Sequence, residues 1–180
     1  MNMKRPEKPH NPDKPYFACV TFDLDFYENA PQIYVNYVDL PCTPDQLFTS
    51  FEDPTSWPQW ARPGIAEVRW TSPKPYGVGT TRTVVFTGGM EVYEDFIGWE
   101  QGKHLAFCFY GVSQDDVFTS FGERYDVEDT GNGTCRLKWT VAYEPGPGFK
   151  RVHFMVRPSM VLTFKLYMWQ LKRYCRRQFA

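Results

Sequence analysis

The chain reads as an α+β protein in which a curved antiparallel sheet of seven strands wraps a long C-terminal helix, with two short helices between the first and second strands. Three observations predict this. Six segments of strand character follow one another between residues 65 and 144, separated by the turn phrases KPYGVG, TGG, EQGK, TGNGT and EPGPG. A helical apolar repeat comes after them and closes the sequence. Aromatic residues make up 18% of the chain, with 15 Phe, 11 Tyr and 6 Trp, and such rings fill wide cores or line pockets for apolar ligands.

The elements follow in order. Residues 1–31 read as an N-terminal extension, partly flexible, ahead of a domain at 32–180. The first fifteen residues hold four prolines and read as a loose arm. The stretch from Tyr16 to Phe26 adds a strand or lies across the body. Gln32 to Leu40 (QIYVNYVDL) alternates like a strand, and Pro41 breaks it. Thr43 before Pro44 is a helix start signal, since Thr caps and Pro suits the first helical position. Asp53-Pro54 ends that helix, and a second helical turn passes through Trp57 and Trp60. Strands are expected near 65–72, 79–87, 90–98, 103–111, 117–128 and 134–144. After Pro158 the pattern is helical to about Gln178.

At 180 residues the chain is sized for one domain plus an extension, given about 150 residues per domain. Its composition, 42% hydrophobic and 23% charged, excludes a disordered protein. The net charge of −1 lacks the basic footprint of a nucleic-acid binder. That charge is unevenly spread. Residues 150–180 carry eight Lys and Arg and no acid, so the remainder holds 12 basic and 21 acidic residues.

Five separated cysteines, with no CxxC pair, give no zinc spacing and read as free thiols in a reducing compartment. The polar, proline-rich start lacks the apolar core of a signal peptide. Arg157 and Lys165 interrupt the longest apolar run. The expectation is a cytoplasmic protein. Gly77-Val78-Gly79 reads as a turn rather than a dinucleotide fingerprint, and the SQDD phrase at 113–116 lacks the features of a calcium loop. No metal or cofactor is called for.

The order of elements resembles the SRPBCC superfamily over roughly residues 32–178. The phrases that carry the likeness are LPCTPDQLFTSFEDPTSWPQW, GVGTTRTVVF, YEDFIGWEQGKHLAFCFYG and ERYDVEDTGNGTCRLKWTVAYEP. This is the helix-grip fold of START domains, birch-pollen-type allergens and polyketide cyclase/dehydrase-like proteins. The resemblance implies an apolar cavity between the sheet and the C-terminal helix. It carries nothing over to the N-terminal extension or the basic C-terminus.

Register arithmetic nominates the lining. With Gly131-Asn132-Gly133 as a three-residue loop, Val127 faces Leu137, Tyr125 faces Trp139, Glu123 faces Val141 and Phe121 faces Tyr143. Leu105, Phe107 and Phe109 then point inward beside Val92, Glu94 and Phe96. Reading Gly88-Gly89 as a two-residue turn sets Thr83 against Glu94 on the inner face and leaves Arg82 with Asp95 as a surface pair. The expected pocket is walled by Thr83, Val92, Phe96, Phe107, Phe109, Phe121, Tyr125, Trp139 and Tyr143. Trp60 is expected at its mouth, with Phe164 and Met168 as the helix wall. His104 reads as a surface residue and His153 as part of a loop before the long helix.

Glu94 and Glu123 are the candidate acid/base residues, with Tyr125 as an added donor. Two inward carboxylates with no inward cation would share a proton, the alternative being a water-bridged pair without chemistry. Val161, Phe164, Met168, Leu171 and Cys175 form the helix stripe expected to face the sheet. A second strip, Leu162, Leu166 and Trp169, lies among Lys165, Arg173, Arg176 and Arg177. The expectation is that Tyr16, Phe17 and Phe22 of the arm cover it; an anionic membrane surface or a homodimer contact are the alternatives. Three functions follow: binding of a small hydrophobic or amphipathic ligand, lipid or aromatic, in the cavity; a cyclase/dehydrase-type enzyme; or a docking module built on the helix.

Overall fold

A computed structural model describes residues 8–179; the first seven residues of the expected N-terminal arm lie outside the described residues. In chain order the elements are β1 (Phe17–Ala18), α1 (Phe26–Asn29), β2 (Gln32–Leu40), α2 (Pro44–Glu52), α3 (Trp57–Trp60), β3 (Ile65–Trp70), β4 (Thr81–Phe86), β5 (Glu91–Glu100), β6 (His104–Val112), β7 (Phe118–Gly131), β8 (Thr134–Pro145) and α4 (Pro147–Phe179). The sheet runs β2-β8-β7-β6-β5-β4-β3, antiparallel throughout, with β1 paired to β6 beside this path. It is the curved seven-stranded sheet gripping a long helix that the sequence predicts.

Local chemistry places each end. Thr43 accepts from the Gln46 amide while the Gln46 side chain accepts from the Thr43 amide, a reciprocal cap that fixes the start of α2. Phe48 and Phe51 on α2 then pack on Trp99 and Tyr125, so α2 and α3 plug the end of the sheet where β5 finishes. The β7–β8 turn sits on Asn132 and Gly133, with φ of 56° and 75°, the paired left-handed geometry that twists with the strands. A bulge between Asp129 and Gly131 adds the extra residue. The turn is therefore two residues plus a bulge, and the pairings expected below it, Tyr125 with Trp139 and Glu123 with Val141, are present.

The β4–β5 hairpin corrects the expectation. Phe86 and Met90 close it, leaving Thr87, Gly88 and Gly89 as the loop. Arg82 therefore pairs with Glu94 and Thr83 with Tyr93. A one-residue slip exchanges the two faces of a strand, so Arg82 and Val84 point inward and Thr83 points outward. The surface pair of Arg82 with Asp95 does not exist; Asp95 pairs with Lys8 instead.

The helix also starts earlier than expected. α4 begins at Pro147 and runs through Pro158, so His153 is helical rather than in a loop. It is buried, with its Nε2 2.8 Å from the Tyr143 hydroxyl. Met168, Leu171 and Cys175 are buried against the sheet and Phe164 packs on Tyr34 and Trp139.

The arm occupies the outer face of the sheet. Tyr16 lies on Tyr93 and donates to the Tyr110 carbonyl, and its ring fills the space where a side chain on Gly111 would project. Residues 17–20 stitch the diverging ends of β6 and β7 together, Cys19 N–H to the Tyr110 carbonyl and Val20 N–H to that of Thr119. The strip of Leu162, Leu166 and Trp169 is left exposed, which overturns the expectation that the arm covers it. Among the described residues, no helix is long and apolar enough to cross a membrane.

Candidate functional site

Curvature opens a cavity of about 280 Å³ between the sheet and α4. Among its partly exposed lining residues, Phe86, Met90, Phe118 and Met160 come from the β4–β5 hairpin, the start of β7 and the first half of α4. They mark the mouth. The opposite end is closed by Trp57 and Trp60 of α3, both buried.

Of the residues nominated from sequence, Glu94, Glu123, Tyr125, Trp60, Phe107, Phe109, Phe121, Trp139 and Phe164 are brought together around this cavity. Trp60 stands at the closed end, not the mouth, because α3 folds under the sheet. Val92, Phe96 and Met168 are buried in the core beside the cavity and do not line it. Tyr143 is turned toward α4, where its hydroxyl meets His153. Thr83 is on the other face, for the register reason above.

Arg82 is the residue the sequence reading missed at this site. Its side chain is 1% exposed. The guanidinium carbon lies 4.1 Å from the centre of the Trp57 ring, 4.9 Å from Phe107, 5.1 Å from Phe96 and 5.4 Å from Trp70. Four ring faces thus surround a buried cation. Arg82 Nε is paired with Glu94 Oε2, while Arg82 Nη1 is buried without a hydrogen-bond partner. Trp60 Nε1 is the other buried side-chain donor of the described residues that has none. Both belong to residues that line the cavity.

The second polar group is built from β7 and β8. Glu123 Oε2 accepts from the Tyr125 hydroxyl and, at 3.0 Å, from Trp139 Nε1. Behind it the Tyr27 hydroxyl of α1 lies 2.7 Å from the Phe107 carbonyl and 3.0 Å from the Glu123 carbonyl. That approach needs glycine at 122, where a Cβ would come 2.8 Å from the Tyr27 oxygen.

Burial sets the electrostatics. Desolvation pushes the Glu94 carboxyl up to about 7 against the pull of Arg82. Burial likewise raises Glu123, with Tyr125 and Trp139 opposing it, and raises the Tyr125 hydroxyl well above its ordinary value. The inner face therefore holds a cation after all, and the expectation of two carboxylates without one is corrected. The arrangement combines an apolar chamber with a carboxyl able to hold a proton near neutrality, beside two buried N–H donors that have no partner.

A chamber between a curled sheet and a gripping helix defines the class, a ligand-cavity protein of the helix-grip fold. The chain belongs to the family described as polyketide cyclase/dehydrase and lipid transport, whose model matches residues 33–173, within the SRPBCC superfamily. Uncharacterized proteins of Mycobacterium tuberculosis and Mycobacterium bovis are 40% identical over 164 residues, covering 91% of this chain and 96% of theirs. Among solved structures, a Thermus thermophilus protein matches with a TM-score of 0.65 at 14% identity, covering 83% of this chain and all of that one. Norcoclaurine synthase of Thalictrum matches at 0.51 and 19%, over 79% and 95% of the two chains. These two likenesses concern the fold.

Proposed function

We propose that residues 32–180 bind a small amphipathic molecule with a ring-bearing or alkyl body and one acceptor oxygen, the body in the aromatic chamber and the oxygen at the floor. The observation that carries this is the unpartnered, buried Nη1 of Arg82 at a cavity-lining residue. An orphaned donor costs free energy unless something fills its valence, and a carbonyl, phenolate or carboxylate oxygen would do so. The volume, about 280 Å³, lies just below the usual span of ligand sites, roughly 300–1,000 Å³. A compact ligand suits this space. We place this activity in the cytoplasm.

A matched ligand pair tests the reading: an aryl hydrocarbon and the same compound bearing a ketone or carboxylate, titrated by calorimetry. The oxygenated compound is expected to bind at least about tenfold tighter, the equivalent of one charge-assisted hydrogen bond. Equal affinities would remove the role of the floor, and no binding of either would remove the cavity reading itself.

One observation favours an enzymatic reading as well. A carboxyl held near 7 is matched to proton transfer at neutral pH, so Glu94, with Glu123 and Tyr125 across the floor, would serve as acid/base in a cyclase/dehydrase-type reaction. Turnover of an identified substrate that survives in both Glu94→Gln and Glu123→Gln rules that reading out while leaving binding intact.

A further inference from the structure

We propose that the outward face of α4 is a docking surface for an anionic lipid bilayer, with the helix lying flat on the headgroups. Met155, Leu162, Leu166 and Trp169 recur at steps of seven, four and three, which places them along one line of the helix. That line is opposite the one formed by His153, Met168, Leu171 and Cys175, which are buried. Met155 is 68% exposed, Leu162 70% and Trp169 53%, and Phe154 stands beside them, also exposed. A solvated helix face has no need of this strip.

The charges identify its partner. α4 carries eight Lys and Arg and no acid. Among the described residues none of these cations is in an ion pair. The Arg173 guanidinium lies 4.7 Å over the Trp169 ring, and with Arg176 and Arg177 they enclose a surface notch. An indole at headgroup level with guanidinium forks around it suits an interface rich in phosphate oxygens. A second copy of this helix is the wrong partner, since eight cations would meet eight cations with no acid between them. The rest of the chain, with 21 acids against 12 bases, is repelled by an anionic surface, so the molecule is oriented with α4 downward. The first half of the same helix borders the cavity mouth through Met160 and Thr163, which brings the mouth close to the bilayer.

Flotation with vesicles of phosphatidylcholine alone, and of phosphatidylcholine with an equal part of phosphatidylglycerol, tests the proposal on the full chain. Recovery is expected with the anionic vesicles only, and is expected to fall when salt shortens the screening length from about 10 Å to about 3 Å. The triple variant Lys165→Glu/Arg173→Glu/Arg176→Glu should partition at least tenfold more weakly, as should Leu162→Ser/Trp169→Ser. A charge-matched control on other surfaces, Lys74→Glu/Lys103→Glu/Lys138→Glu, should lose far less. Every substituted residue but Trp169 is a surface polar or aliphatic group, and circular dichroism with dye binding in the cavity verifies that each variant is folded. No recovery on anionic vesicles, recovery indifferent to lipid charge, or equal loss in the control overturns the proposal. So does a dimer in light scattering that Leu162→Ser/Trp169→Ser makes monomeric. None of these outcomes touches the cavity reading, which is measured without lipid.

Discussion

The two carboxylates on the floor of the cavity, Glu94 buried and Glu123 half-buried, are both desolvated and are held differently. Glu94 is held by a guanidinium that is itself wrapped in four aromatic rings. Glu123 is held by two neutral donors, the Tyr125 hydroxyl and the Trp139 indole N–H, both from the next inward positions of a tight hairpin. A charged partner lets a carboxylate stay ionised but commits two desolvated charges to the interior, where removing one strands the other. Neutral donors cost less when one is lost. The Arg82–Glu94 group is thus the fragile, tunable one, with one buried N–H that has no partner, and the Glu123 group is the rigid one.

The largest effect that would break this contrast comes from Arg82. Arg82→Met keeps an apolar stem among the rings but leaves Glu94 unpaired, and is expected to cost about 3–5 kcal/mol at pH 8, measured by urea unfolding. Adding Glu94→Gln should return most of that loss, because the stranded charge is gone. A single variant within about 1 kcal/mol of the parent would mean the pair does not carry the charge assigned to it.

The next effect is read against pH. Glu94 has a folded value of about 7 against an ordinary 4.5, so its folded form prefers the proton. A raised value contributes stability that is full below pH 4.5 and is lost as pH rises through about 7. At about 1.36 kcal/mol per unit the loss is on the order of 3 kcal/mol. Stability followed from pH 4.5 to pH 8 should fall in the parent and fall much less in Glu94→Gln. An unchanged slope in the variant would move the titration to some other group.

The same contrast shows what was legible in the sequence. Glu123 was readable as inward-facing because alternation and the apolar pairing of Val127 with Leu137 pin the β7–β8 register, and a two-residue turn plus a bulge leaves that register where a three-residue loop would. Glu94 was readable because it alternates in step with Val92 and Phe96. The β4–β5 hairpin offered a similar criterion. Pairing Val84 with Val92 and Phe86 with Met90 requires Thr87 to join the loop, and that pairing is the one found. Gly88-Gly89 as a ready-made two-residue turn concealed it, and with it the inward Arg82. Bulges between Tyr93 and Glu94 and between Phe96 and Gly98 could not be counted from alternation; the β5–β6 register sets Glu94 opposite Phe109 and Phe96 opposite Phe107. The first turns of α4 were hidden by Pro158, whose usual effect is to begin or break a helix. Pro147 supplies the real start.

The smallest expected effect belongs to Glu123, and it sharpens the contrast from the other side. Tyr125→Phe removes one donor to the carboxylate and leaves the Trp139 N–H at 3.0 Å in place. Tyr125 is buried, its ring packed beside Phe51 and Trp139, and Phe preserves that packing. The expected cost is therefore one hydrogen bond to a charged acceptor, about 1.5–3 kcal/mol, with Glu123 pushed further upward because one of the two bonds that oppose its desolvation is gone. Glu123→Gln should cost less still, since an amide oxygen accepts from the same two donors. Both are measured by urea unfolding at pH 7, alongside the affinity for the oxygenated aryl ligand. Affinity within about twofold of the parent in both variants keeps Glu123 as scaffold and leaves ligand recognition to Arg82 and Trp60; a tenfold loss of affinity, about 1.4 kcal/mol, would make the two carboxylates partners in binding after all.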